Sequence, residues 1–129
     1  MLLVSYCGAC SVGQDTKAAE AAVSKFREQM ASGALGDIYD SAADDWKSAV
    51  TRDDSAAFLG AVNRKLGPVK TSTQTGWRDN LTSNGHLVTL EYHTKFEHGD
   101  GDETFSIRLK DARGQLAGYH INSMDMMIK

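Results

Sequence analysis

Residues 87–97 read Leu87-Val88-Thr89-Leu90-Glu91-Tyr92-His93-Thr94-Lys95-Phe96-Glu97, and this stretch decides the fold. Val88, Leu90, Tyr92, Thr94 and Phe96 alternate with Thr89, Glu91, His93, Lys95 and Glu97. A period of two places one set on each side of an extended chain, so the pattern predicts a strand with one face on a core and the other in water. Working outward, the residues after it repeat the pattern. If His98-Gly-Asp-Gly101 closes a hairpin, position i lies opposite 199 − i, which pairs Leu90 with Leu109, Tyr92 with Ile107 and Thr94 with Phe105. Glu91 then meets Arg108 on the other face, and His93 meets Ser106. Every apolar residue shares one side, as a half-buried antiparallel pair requires.

Two more strands flank this pair. Val69, Thr71, Thr73, Thr75 and Trp77 alternate with polar residues, and threonine-rich alternation suits a half-buried strand. Asn80–Gly85 is a polar turn. The last strand, from Gln115 onward, has two registers. An even loop buries Leu116, Gly118 and His120; a bulge at Gly114 buries Ala117, Tyr119 and Ile121 instead and turns Ser123 and Asp125 inward. The bulge is the preferred register, since it sets Tyr119 against Ile107 and Ile121 against Phe105.

Upstream, the period changes to that of a helix. Ala19, Ala22, Val23, Phe26 and Met30 make one apolar stripe, with Asp15 or Thr16 as cap and Gly33 past the end. Ile38, Tyr39, Ala42, Ala43 and Trp46 mark one or two short helices, and Phe58, Leu59, Val62 and Leu66 a third that Gly67-Pro68 ends. The expected fold is α+β: helices over about 16–31, 37–48 and 54–66 packed on a curved four-stranded antiparallel sheet over about 68–78, 86–97, 102–110 and 115–127.

The totals agree with one domain over 16–129. The chain has 129 residues, 41% hydrophobic and 24% charged, enough for one core and no more. Net charge is −3 with both signs interleaved, and no basic stripe marks a nucleic-acid partner. No apolar run is long enough to span a bilayer.

Both cysteines, Cys7 and Cys10, lie in the first ten residues, so the rest of the chain contains no disulfide. A redox Cys-x-x-Cys needs a strand before it and a helix after it, and only six residues precede Cys7. A zinc finger needs a second ligand pair at finger spacing, and none exists. The remaining alternatives are two incidental cysteines in an apolar N-terminus, or a processing signal. Cys7-Gly-Ala-Cys10 resembles a bacterial lipobox, with Leu2, Leu3 and Val4 as the tail of an apolar core and Ser11–Asp15 as a tether. That resemblance implies lipidation at Cys10 and a periplasmic or membrane-anchored location, with a cytoplasmic module as the alternative.

Tyr92-His-Thr-Lys-Phe-Glu97, Glu103-Thr-Phe105 and Leu116-Ala-Gly-Tyr-His-Ile121 resemble the C-terminal half of small exported bacterial proteins with the nuclear-transport-factor-2-like (cystatin-like) cone fold, a group with no assigned activity. Trp46 and Arg64-Lys-Leu-Gly67 fit its first half. The resemblance covers about residues 16–128 and implies fold and export. Cone folds hold a pocket between helices and sheet. In isomerase-like and dehydratase-like relatives, a buried acid or histidine serves there as base and a tyrosine donates to an oxyanion. The resemblance thus implies Asp125 as base with Tyr92 or Tyr119 as donor, Tyr39 as a further polar group and Trp46 as a wall.

The bland readings stand beside these. Tyrosines are ordinary core residues, and Asp125 lies near the chain end. His93 and His120 fall on the polar sheet face and His98 at a turn, as solvated groups. Asp44-Asp45 and Asp53-Asp54 are helix starts without a calcium loop. No metal and no cofactor are expected. The polar outer face, with Glu91, His93, Lys95 and Arg108, suits a monomer or weak dimer. The leading expectation is an envelope domain that binds a small molecule or an envelope protein. The alternative is a cone-fold enzyme.

Overall fold

The computed structural model describes residues 7–128, with side chains from Gln14 onward. Four helices, α1 (Cys7–Ser32), α2 (Leu35–Asp40), α3 (Asp44–Ala49) and α4 (Arg52–Leu66), precede four strands, β1 (Val69–Thr82), β2 (Gly85–Phe96), β3 (Gly99–Lys110) and β4 (Arg113–Asn122), and a last turn of helix, α5 (Met124–Ile128). The sheet is a curved antiparallel meander in the order β1-β2-β3-β4, with the helices packed against one face. The expected α+β architecture is the observed one.

The helical stripe explains the packing. Ala19, Val23, Phe26 and Met30 of α1 are all buried, and they meet Leu59, Val62 and Leu66 of α4 and the sheet residues Leu90, Phe105 and Ile107 in one core. Burying a side chain of this size contributes about 1.5–3 kcal/mol, so this stripe rather than helix propensity holds α1 in place. α1 begins at Cys7, ahead of the cap expected at Asp15 or Thr16. The only proline of the chain is Pro68, so nothing earlier interrupts the helix. The helix takes in residues 7–10, assigned above to a lipobox, and 11–15, assigned to a tether. The side chains of Cys7 and Cys10, on which the lipid-anchor expectation falls, lie outside the described residues. α4 starts at Arg52 rather than Asp54, because Thr51 caps it by accepting from the Asp54 N–H at 3.1 Å.

The sheet carries three corrections. The first concerns the β2–β3 hairpin. Leu90 lies opposite Phe105, Tyr92 opposite Glu103 and Thr94 opposite Gly101, so partners sum to 195 instead of 199. The turn is Glu97-His98, and it is tight because the N–H groups of these two residues donate to Pro68 O and Leu66 O at 2.9 and 2.8 Å. Gly101, expected in the turn, lies within β3 beneath Ser123, where a Cβ would sit 3.0 Å from the Ser123 Cβ. A shift of four preserves parity, so every residue keeps its expected face. Arg108 is not opposite Glu91; its guanidinium grips Asp45 of α3 at 2.7 and 2.9 Å.

The second correction concerns β4. Ile107 pairs with Leu116 and Ser106 with Gly118, leaving Ala117 as the extra residue of a bulge. The even register holds up to Leu116 and the shifted one from Gly118 on. Both Leu116 and Tyr119 therefore reach the core. Tyr119 lies opposite Phe105 and Ile121 opposite Glu103, not opposite Ile107 and Phe105. The strand also stops at Asn122, short of 127, since Ser123 opens α5 by accepting from the Met126 N–H at 3.4 Å.

The third concerns β1. It is an edge strand and is exposed almost throughout rather than half-buried as expected, and Trp77 is 50% exposed. An irregularity between Gln74 and Gly76 sends Ser72 and Gln74, then Trp77 and Asp79, toward the helix side.

Candidate functional site

Helix α1 and the four strands each contribute one polar group to a single network at the core. Glu103 of β3 is 1% exposed. Its Oε1 accepts from Thr94 Oγ1 of β2 at 2.6 Å and from Arg27 Nη2 of α1 at 2.9 Å. Its Oε2 accepts from the Tyr119 hydroxyl of β4 at 2.5 Å and from Arg27 Nη1 at 3.3 Å. Because the Thr94 proton goes to Glu103, Ser72 of β1 donates to Thr94 at 2.8 Å and itself accepts from Arg27 at 2.9 Å. The Arg27 guanidinium also lies over the rings of Tyr92 and Phe105, 5.6 and 5.4 Å from their centroids.

Physical chemistry requires this completeness. A carboxylate taken out of water loses several kcal/mol of solvation unless charge and hydrogen bonds replace it. Here both oxygens are occupied twice, and the fork of Arg27 matches the carboxylate plane. Burial, followed by the Glu103 charge and the hydrogen bond to it, pushes the Tyr119 phenol far above its ordinary value of 10. Burial and then the Glu20 charge raise Tyr92 as well.

Beside this network opens a cleft of about 390 Å³. Phe26 and Met30 of α1, Val62 of α4, Pro68 and Phe96 form an apolar wall, and Arg27, Glu103 and Tyr119 form its polar end. Its rim carries Ala31 and Asn63. The Asn63 amide donates to Met30 O at 2.9 Å and keeps its oxygen free of that bond. The Arg27 Nε–H makes no hydrogen bond among the described residues.

The expected site residues separate. Tyr119 lines the cleft with its hydroxyl committed to Glu103. Tyr92 is half-buried and lines a shallower groove across Arg27, with Glu20, Ser24 and Gln74. Asp125 lines neither. It sits in α5, where its carboxylate accepts from the Asp100 N–H at 3.1 Å. The β4 bulge and the end of the strand at Asn122 put it there. Tyr39 ties α2 to α3 through Lys47 O and Val50 O. Trp46 is a core residue whose indole N–H donates to the buried Ser55 at 3.0 Å. His93 donates or accepts at 2.7 Å with Asp102 on the outer face.

Glu103 and Arg27 are the residues that sequence reasoning missed. Glu103 has the parity of Phe105 and Ile107, so an acid on the buried face was visible. Arg27 follows Phe26 on α1, and nothing in its spacing identified a partner 76 residues away.

Fold and site together define a small α+β domain with a half-open apolar cleft closed at one end by the part-buried Arg27–Glu103 ion pair. No protein-family model matches the chain, and no curated protein matches it.

Proposed function

We propose that this domain binds a small, largely apolar and uncharged molecule in the cleft between α1, α4 and the sheet. The carrying observation is a space of about 390 Å³ with an apolar wall and the Arg27–Glu103–Tyr119 network at one end, within the range of ligand sites. The network is already neutral, so a charged ligand head would unbalance it. A carbonyl or hydroxyl oxygen, accepting from the Arg27 Nε–H, fits better.

Binding is favoured over catalysis by what the polar groups are doing. The Tyr119 proton is given to Glu103, and both Glu103 oxygens are saturated. A general base needs a free lone pair, and an oxyanion donor needs a free proton. With Asp125 outside the cleft, the isomerase-like or dehydratase-like alternative has no acid–base pair there. The cone-fold resemblance, export and a lipid anchor on Cys10 form the wider proposal of an envelope binding domain. Metabolic labelling with a radioactive fatty acid tests the anchor: label lost in Cys10→Ser supports it, and an unlabelled chain overturns it.

The neutral dye Nile red tests the cleft. One molecule should bind per chain with a blue-shifted emission. Ala31→Trp, which fills the mouth from an exposed position, should abolish that signal with the fold intact by circular dichroism. Equal binding by this variant overturns the proposal.

A further inference from the structure

At the opposite end of β2 from the cleft, three side chains from three elements converge: Asp15 of α1, Asp79 of β1 and His86 of β2. His86 Nε2 lies 2.5 Å from Asp79 Oδ1 and 3.4 Å from Asp15 Oδ2. One ligand-type atom from each residue lies within 4.8 Å of the other two. All three side chains are half-buried, between 17% and 30% exposed.

The arrangement sets two carboxylates against one ring nitrogen. An imidazole nitrogen carries at most one hydrogen, and here two carboxylates face the same Nε2. Among the described residues no lysine or arginine forms an ion pair with Asp15 or Asp79. The sequence before Gln14 contains neither residue type. With both carboxylates ionised, the trio keeps at least one negative charge whatever the protonation of His86, and the two carboxylates are held close together.

We propose that Asp15, Asp79 and His86 bind a divalent first-row transition cation, with Zn²⁺ as the type ion, and so fasten α1 to the β1–β2 hairpin. A charge of +2 balances the two carboxylates, and neutral His86 supplies a nitrogen lone pair. The donor set points to this class: imidazole suits zinc and its neighbours, while calcium and magnesium favour oxygen cages. Copper(I) would seek the sulfur that the described cluster lacks. Ligands about 2.0–2.1 Å from a tetrahedral zinc lie roughly 3.4 Å apart. Asp15 and His86 already have that spacing, and Asp79 needs to withdraw by less than the width of an atom. Three protein ligands leave a fourth position for water.

The test is calorimetric titration of the full chain with Zn²⁺ alone, with Co²⁺ as a spectroscopic stand-in. One ion per chain should bind, the melting temperature should rise with Zn²⁺, and Co²⁺ should give the visible bands of a low-coordinate nitrogen–oxygen site. Asp79→Asn and His86→Gln should each weaken Zn²⁺ binding by about tenfold or more, with the fold retained by circular dichroism. Asp15→Asn, which loses only the longer contact, provides a second readout should either of these fail to fold. His93→Ala, on the outer sheet face, should bind as the wild type does. No one-to-one binding, or equal affinity in the Asp15, Asp79 and His86 variants, overturns the proposal.

Discussion

Glu103 decides more than any other single residue. Replacing it by alanine takes the balancing charge from Arg27, leaves the Tyr119 hydroxyl unpaired and leaves Thr94 and Arg27 only Ser72 and each other, and breaking a buried pair in this way costs about 3–5 kcal/mol. Tyr119→Phe removes one hydrogen bond to a charged acceptor and should cost about 1.5–3 kcal/mol, read as a lower urea midpoint. Tyr119 also predicts a pH limit. Its folded value is raised above the unfolded 10, so its contribution is complete below pH 10 and is lost as pH climbs past that. In an alkaline absorbance titration, tyrosinate from Tyr119 should appear only with unfolding. His93 has the same sign in a milder range. Its hydrogen bond to Asp102 raises it above 6.5, so its stabilisation is present below pH 6.5 and fades as pH rises through the folded value. The His93 ring resonance should titrate above 6.5 and return toward it in Asp102→Asn. At this scale the sequence was partly legible: parity marked the face of Glu103 and Tyr119, whereas their partner Arg27 depends on how α1 lies across the sheet.

Elements were the most legible level, and their registers the least. Period two after Pro68 and period 3.6 before it identified every strand and the three helical stretches that hold α1, α2 with α3, and α4, because burial on one face writes itself into spacing. Register is set by contacts that spacing does not encode. The β2–β3 turn closes at Glu97-His98 because the end of α4 supplies its acceptors, Leu66 O and Pro68 O. The β4 bulge falls at Ala117 because Gly114 is already pressed against α1. A Cβ on Gly114 would come within 2.8 Å of Ile107 and 3.0 Å of Ala18 O. Gly114→Val should therefore push α1 off β4 at a cost of about 1–3 kcal/mol, with a loss of near-ultraviolet circular dichroism. Deleting Ala117 removes the offset that lets Leu116 and Tyr119 both face inward. The shortened strand must expose one of them, so the melting temperature should fall further than for Gly114→Val.

For the whole molecule, the outer strands of the sheet carry a consequence for self-association. An open sheet offers unpaired backbone groups to any passing chain, and such a border invites a neighbour to continue the ladder. On one border, α3 blocks the approach: the Ala43 N–H takes Leu116 O of β4 at 2.8 Å. On the other, β1 is 14 residues long and bare, yet its irregularities near Lys70 and Thr75 interrupt the regular spacing that an incoming strand would need. Lys70, Arg78 and Asp79 add charge along it. Removing Thr75 would straighten this border, and light scattering should then detect more self-association than in the parent chain. The kinks in β1 thus act as guards, keeping a sheet that has no closing strand from finding one in another copy of itself.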